Sequence, residues 1–162
     1  MPKVALIMGS KSDWPSLRGC VDVLKKFEIE VEVHVASAHR TPETVAAFAA
    51  NARENGFEVI LAAAGKAAHL AGVIAGHTTL PVIGIPVKSS FMDGLDSLLS
   101  TVQMPTGIPV ATVAVGGGDN AAYLAAQMLS IKYPILAEKL LAHREQMAAA
   151  IEADDRQIQN EV

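Results

Sequence analysis

A single cysteine, Cys20, occurs in the 162 residues. One thiol excludes an intramolecular disulfide and any metal site built from several cysteines. It suits a reducing compartment, so the expected location is the cytoplasm. Aromatic residues make up only 4% of the chain and charged residues 19%. No basic run occurs and the formal net charge is −4. The electrostatic footprint of a nucleic-acid binder is therefore missing. No stretch reaches the ~20 uninterrupted apolar residues of a membrane span, because Gly, Pro, Lys or His breaks each longer run. The opening MPKVALIMG enters a strand pattern at once, without the charged segment, apolar core and cleavage site of a secretion signal.

What is present is a 51% share of hydrophobic residues, many of them alanine. That share describes a globular chain rather than a disordered one. The length fits one domain over 1–162, since domains run to about 100–200 residues. The hydrophobic share also exceeds what one small monomer hides, which points to contacts between subunits.

Solid apolar runs alternate with helical periodicity. Strands are predicted at 4–8, 29–36, 59–64, 81–87 and 108–115, with 29–36 near a sheet edge. Helices are predicted at 15–27, after Thr41-Pro42-Glu43, at 67–76, at 119–131 and at 134–152. A short helix flanked by loops is expected within 88–107, and residues 153–162 read as a frayed polar tail. Solid strands separated by helices specify a parallel sheet covered on both faces. The expected fold is an α/β three-layer, doubly wound parallel sheet with a long C-terminal helix. That last helix is apolar on more than one side, which again points to a second copy.

Ligands of such sheets bind beyond the carboxyl ends of the strands. Four segments there join small residues to polar groups and a helix start: GSKSDW (9–14), SAHRTP (37–42), AGKAAHLAG (64–72) and GGGDNAA (116–122). In the first, Gly9 permits a sharp turn, and Ser10, Ser12 and the next helix's free N–H groups make a phosphate-sized anion site. Asp13 is placed to accept from sugar hydroxyls, or else to cap the helix. In the second, Arg40 can grip a phosphate through its planar fork, and His39 can exchange a proton near neutral pH. The plainer alternative is a surface histidine and an arginine paired with Glu43. In the third, His69 is predicted one turn into a small-residue helix, as a ligand contact or as a packed histidine. Cys20 and Trp14 read as packing residues. Neither GxGxxG nor GxxxxGK[ST] is present, and no His/Cys spacing supports a metal. The residues alone give a site for a mono-phosphorylated, sugar-like ligand, with His39 as its best acid–base group.

Taken together the motifs resemble a known family. MGSKSDW (8–14), SAHRTP (37–42), AAHL (67–70), LPVIGIPV (80–87), DSLLSTVQMP (96–105) and GIPVATVAV (107–115) are similar to the class I form of N5-carboxyaminoimidazole ribonucleotide mutase, an enzyme of purine biosynthesis. The resemblance runs over nearly the whole chain in the same order. It implies a flavodoxin-like sandwich, a homo-octamer, a ribonucleotide substrate, and no metal or organic cofactor. It also implies that His39 is the catalytic acid–base group and that Ser10, Ser12, Asp13, Ser37 and Arg40 bind the ribose phosphate. Gly65, Ala67 and His69, with Ala68 between them, would line the carboxylate end. The runner-up is direct carboxylation of aminoimidazole ribonucleotide by free CO2, as in the second class. That class carries His-Lys where this chain has His39-Arg40, and Ser-Asn-Gly near Ala68-His69-Leu70. A nucleotide-sensing or flavin-binding module without catalysis is the alternative outside enzymes. Three departures stand out. Lys66 and Ala71 occupy positions where the family usually has Gly and Pro, and the 116–120 loop is short.

Overall fold

The run Val4–Met8 leaves no side chain for water: all five are at most 2% exposed. The computed structural model, which describes residues 1–162, shows why. Strand β1 (Lys3–Met8) lies inside a five-stranded sheet of order β2-β1-β3-β4-β5. The others are β2 (Glu30–Val35), β3 (Val59–Gly65), β4 (Val82–Val87) and β5 (Ala111–Thr112), and every neighbouring pair is parallel. This strand order is that of flavodoxin-like folds.

Six α-helices cover the sheet: α1 (Trp14–Lys26), α2 (Pro42–Asn51), α3 (Leu70–His77), α4 (Leu95–Val102), α5 (Gly118–Ser130) and α6 (Pro134–Glu161). Side chains alternate across a strand, so β1 feeds two cores. Val4, Leu6 and Met8 pack with Leu17, Cys20 and Leu24 of α1, the alanines of α5, and Leu136 of α6. Ala5 and Ile7 pack with Val45 and Ala49 of α2 and Leu70 and Ile74 of α3. Strand β2 is an edge as expected, and leaves Val33 and Val35 at 38% and 58% exposure.

Three boundaries differ from the sequence pattern. The fifth strand pairs regularly only at Ala111–Thr112 rather than over 108–115. Pro86 and Pro109 have no N–H to give a ladder, and only isolated bonds, such as Val113 N–H to Gly84 O, continue the contact. Helix α3 begins at Leu70, not 67, and His69 is its N-cap. Lys66 turns the chain first, with φ +57° in the left-handed region. The tail does not fray: α6 continues through Glu161, although everything from Arg144 onward is exposed. Glu, Ala, Arg and Gln favour a helix, and no Gly or Pro interrupts it.

Candidate active site

The loops that leave β1, β2, β3 and β4 converge at the carboxyl end of the sheet. Backbone bonds extend the ladders into them, from Gly9 N–H to Ala63 O and from Ala36 N–H to Met8 O. Between these loops is a cleft of about 670 Å³. Its wall contains Ser10, Ser12, Asp13, Ser37, His39, Arg40, Gly65, Ala67 and His69, so the candidate catalytic and substrate-binding residues reach one cavity. The 116–122 segment does not line it.

The loop after β1 is a 3-10 turn, Lys11–Asp13, leading into α1. The Ser10 hydroxyl accepts from Ser12 N–H at 3.3 Å and lies 2.8 Å from the Ser12 hydroxyl. Asp13 is the N-cap of α1 by position, but its carboxylate makes no capping bond. Its carboxylate is therefore available on the cleft wall. Burial raises the Asp13 pKa above its ordinary value, against the opposing pull of the Ser10 backbone bond and the Arg40 charge.

The loop after β2 is closed by Thr41. Its hydroxyl accepts from Ser37 N–H and donates to Ser37 O, instead of capping α2. Arg40 is not paired with Glu43. Its Nη2 donates to Gly9 O at 2.9 Å, and its Nε donates to the Ser37 hydroxyl at 3.4 Å. The guanidinium thus ties the β1 and β2 loops together and sets a fixed positive charge beside the serines.

His39 turns the other way. Its Nε2 is 2.7 Å from His69 Nδ1, and the two rings meet edge to face at 87°. Only one hydrogen fits between those two nitrogens. One ring therefore donates across the contact and the other accepts, because two N–H groups cannot face each other there. Both rings face the cavity. His69 lies on the cleft wall and is not packed in the core.

Sequence reasoning missed Lys88, Ser89 and Ser90, which complete the cleft. Their signal was their place directly after β4, in a stretch read as a short helix flanked by loops. Ser89 is buried and donates to both Asp96 carboxylate oxygens at 2.8 and 2.9 Å. A larger hollow of about 790 Å³ opens at the opposite end of the sheet, among Arg53, His77, Thr79 and Pro109. It lies at the amino ends of the strands, away from the His39–His69 pair and from the end of the sheet where ligands of such folds bind. Cys20 is fully buried beside α5. Burial, and then the charge of Asp119, push its thiol up to about 12. It is a core residue, as expected. No three His, Cys, Asp or Glu side chains gather closely enough to hold a metal ion.

The AIR carboxylase family pattern matches residues 3–150. The chain belongs to the AIR carboxylase family. An N5-carboxyaminoimidazole ribonucleotide mutase of Saccharolobus solfataricus is 57% identical over 91% of this chain and 93% of its own. A mutase of the same name from Mycobacterium tuberculosis is 51% identical over 98% of this chain and 91% of its own. Among solved structures, Treponema denticola PurE superposes with a TM-score of 0.86 at 29% identity, over 97% of this chain and 98% of that one. The family membership and the flavodoxin-like strand order thus agree with the cleft described above.

Proposed function

We propose that this protein is a purine-biosynthesis isomerase that converts N5-carboxyaminoimidazole ribonucleotide to 4-carboxy-5-aminoimidazole ribonucleotide. The observation that carries the reading is the His39–His69 pair, set on the wall of a cleft that Arg40, Ser10 and Ser12 also line. The names of the 57% and 51% identical relatives support it.

Ser10, Ser12, Ser37 and Arg40 hold the ribose phosphate, and Asp13 accepts from the sugar. Protonated His39 gives its proton to N5. The bond from N5 to the carboxylate carbon breaks, its electron pair stays on nitrogen, and CO2 is released inside the cleft. The ring is then an enamine-like nucleophile, and C4 attacks the CO2 carbon. His39 takes the proton from C4 and aromaticity returns. One proton leaves and one comes back, so His39 ends as it began. His69 accepts from or donates to the other side of the exchange. Retention of CO2 replaces an encounter from solution with a local one. Gly65, Ala67 and His69 line the carboxylate end.

The test supplies unlabelled N5-carboxyaminoimidazole ribonucleotide in buffer containing labelled bicarbonate and CO2. Early product that is mostly unlabelled is expected. Product labelled to the level of the buffer would mean that free CO2 is the substrate, as in direct carboxylation. The same reading makes the protein a cytoplasmic homo-octamer without a bound cofactor. In support of assembly, Phe91, Leu95, Leu99 and Val102 on and before α4, and Ile135, Leu141, Met147 and Ile151 on α6, are all at least 44% exposed. No helix is long and apolar enough to cross a membrane.

A further inference from the structure

We infer that Lys66 is a specificity-determining residue of this cleft, its ammonium holding the carboxylate of the ligand. The inference rests on the reading proposed above and deepens it. Gly65, the last residue of β3, pairs with Val87, the last residue of β4. Lys66 and Lys88 therefore step off the sheet side by side, and both line the cleft. Lys88 has a partner, since its Nζ is 3.2 Å from Asp93 Oδ1. Lys66 is in none of the ion pairs of the protein. It stands on the segment that leads from β3 to His69.

The backbone gives the second observation. Lys66 has φ +57°, a conformation that side-chain-bearing residues adopt only at a cost. Glycine would hold the same turn without strain. Strained residues cluster at ligand clamps, where the surrounding structure holds them in place. The charge supplies the third. Arg40, Lys66 and Lys88 face the cleft with Asp13 as its sole acid, although the chain as a whole is negative. Arg40 is engaged at the serine loops and Lys88 by Asp93. Lys66 is left as the free cation for a second anionic group, and the carboxylate is the second anion of the proposed ligand.

The experiment is calorimetric titration of the full chain, wild type, Lys66→Met, Lys66→Gly and Lys66→Arg, with two probes. One is 4-carboxy-5-aminoimidazole ribonucleotide and the other is aminoimidazole ribonucleotide, which has the same phosphate and lacks the carboxylate. The Met and Gly variants are expected to bind the carboxylated probe about tenfold more weakly, as for a lost charged hydrogen bond, and the uncarboxylated one unchanged. Lys66→Arg should retain most of the affinity. Lys66→Gly should also melt above Lys66→Met, because it sheds the strain as well as the charge. Unchanged affinity of Lys66→Met for the carboxylated probe would overturn the inference. So would an equal loss for both probes, which would put Lys66 at the phosphate. A wild type that binds neither ribonucleotide would overturn the proposed function and this inference with it, whereas the variant-specific outcomes bear on Lys66 alone.

Discussion

At Asp13, burial and a neighbouring guanidinium act against each other, and burial wins. Its folded pKa lies above the ordinary 3.8, so the fold prefers the protonated acid. That preference stabilises fully below the unfolded value and is lost as pH rises through the folded one. At neutral pH the free protein therefore carries a carboxylate it would be more stable without. Asp13→Asn is expected to raise the melting temperature at pH 7, with the gain shrinking towards about pH 4, and to raise KM. Melts across that range check the first part and kinetics the second. His39→Asn removes the proton exchange but little of the binding surface. Turnover should fall about 100- to 10,000-fold with ligand binding retained, and full activity would show that the acid–base group lies elsewhere. Arg40→Ala deletes the charge that joins Gly9 to Ser37. KM should rise about tenfold or more with a smaller change in kcat, and an unchanged KM would count against a phosphate contact.

Among the elements, β4 is the strand with least room. A methyl group added at Gly84 would sit 2.3 Å from Thr101 Cγ2 and 3.0 Å from Val110 Cγ1. Both neighbours are β-branched, and Thr101 is buried with its hydroxyl committed to Ser97 O, so neither can swing away. Gly84→Ala should cost about 1–3 kcal/mol, read as a lower denaturant midpoint. The sequence announced this strand by its solid apolar run, but not that its glycine admits α4. The same limit applies to the start of α3. Residues 67–69, Ala-Ala-His, fit a helical pattern, and only the left-handed turn at Lys66 and the helix start at Leu70 show that they form a loop. Placing His69 at the N-cap is what brings its ring to His39.

For the molecule as a whole, α6 is the unresolved balance of surface and core. It has 28 residues, a length of about 42 Å at the usual rise, and Leu136 is its only fully buried side chain. Near its base, Lys132 and Tyr133 donate to Glu58, whose pKa burial would raise but these bonds lower. Beyond that anchor Met147, Ile151 and Ile158 remain 48%, 68% and 56% exposed. A lone helix of such length is marginal in water, and packing normally stabilises it. If copies of the chain cover it, Met147→Glu with Ile151→Glu will lower the assembly mass in light scattering while leaving the far-ultraviolet circular dichroism of the sheet and other helices intact. An unchanged mass would remove these residues from the interface.

The order of apolar runs, the loops that follow them and the chemistry in those loops were legible along the chain. The reason is that a strand buried on both faces must be continuously apolar, and polar residues at its end have few other uses. His39, Arg40, Ser10, Ser12 and Asp13 could be named from that alone. Which of them meet is a different matter. The His39–His69 bond spans 30 residues, and the Arg40–Gly9 bond 31. The completion of the wall by Lys88 to Ser90 depends on β3 and β4 ending in register. Contacts of this kind arise when strands pair and crossovers close, and no local pattern of residues encodes a distance between loops. Sequence set the parts and the end of the sheet where they lie; tertiary structure decided which imidazole meets which, and which lysines share the cleft wall.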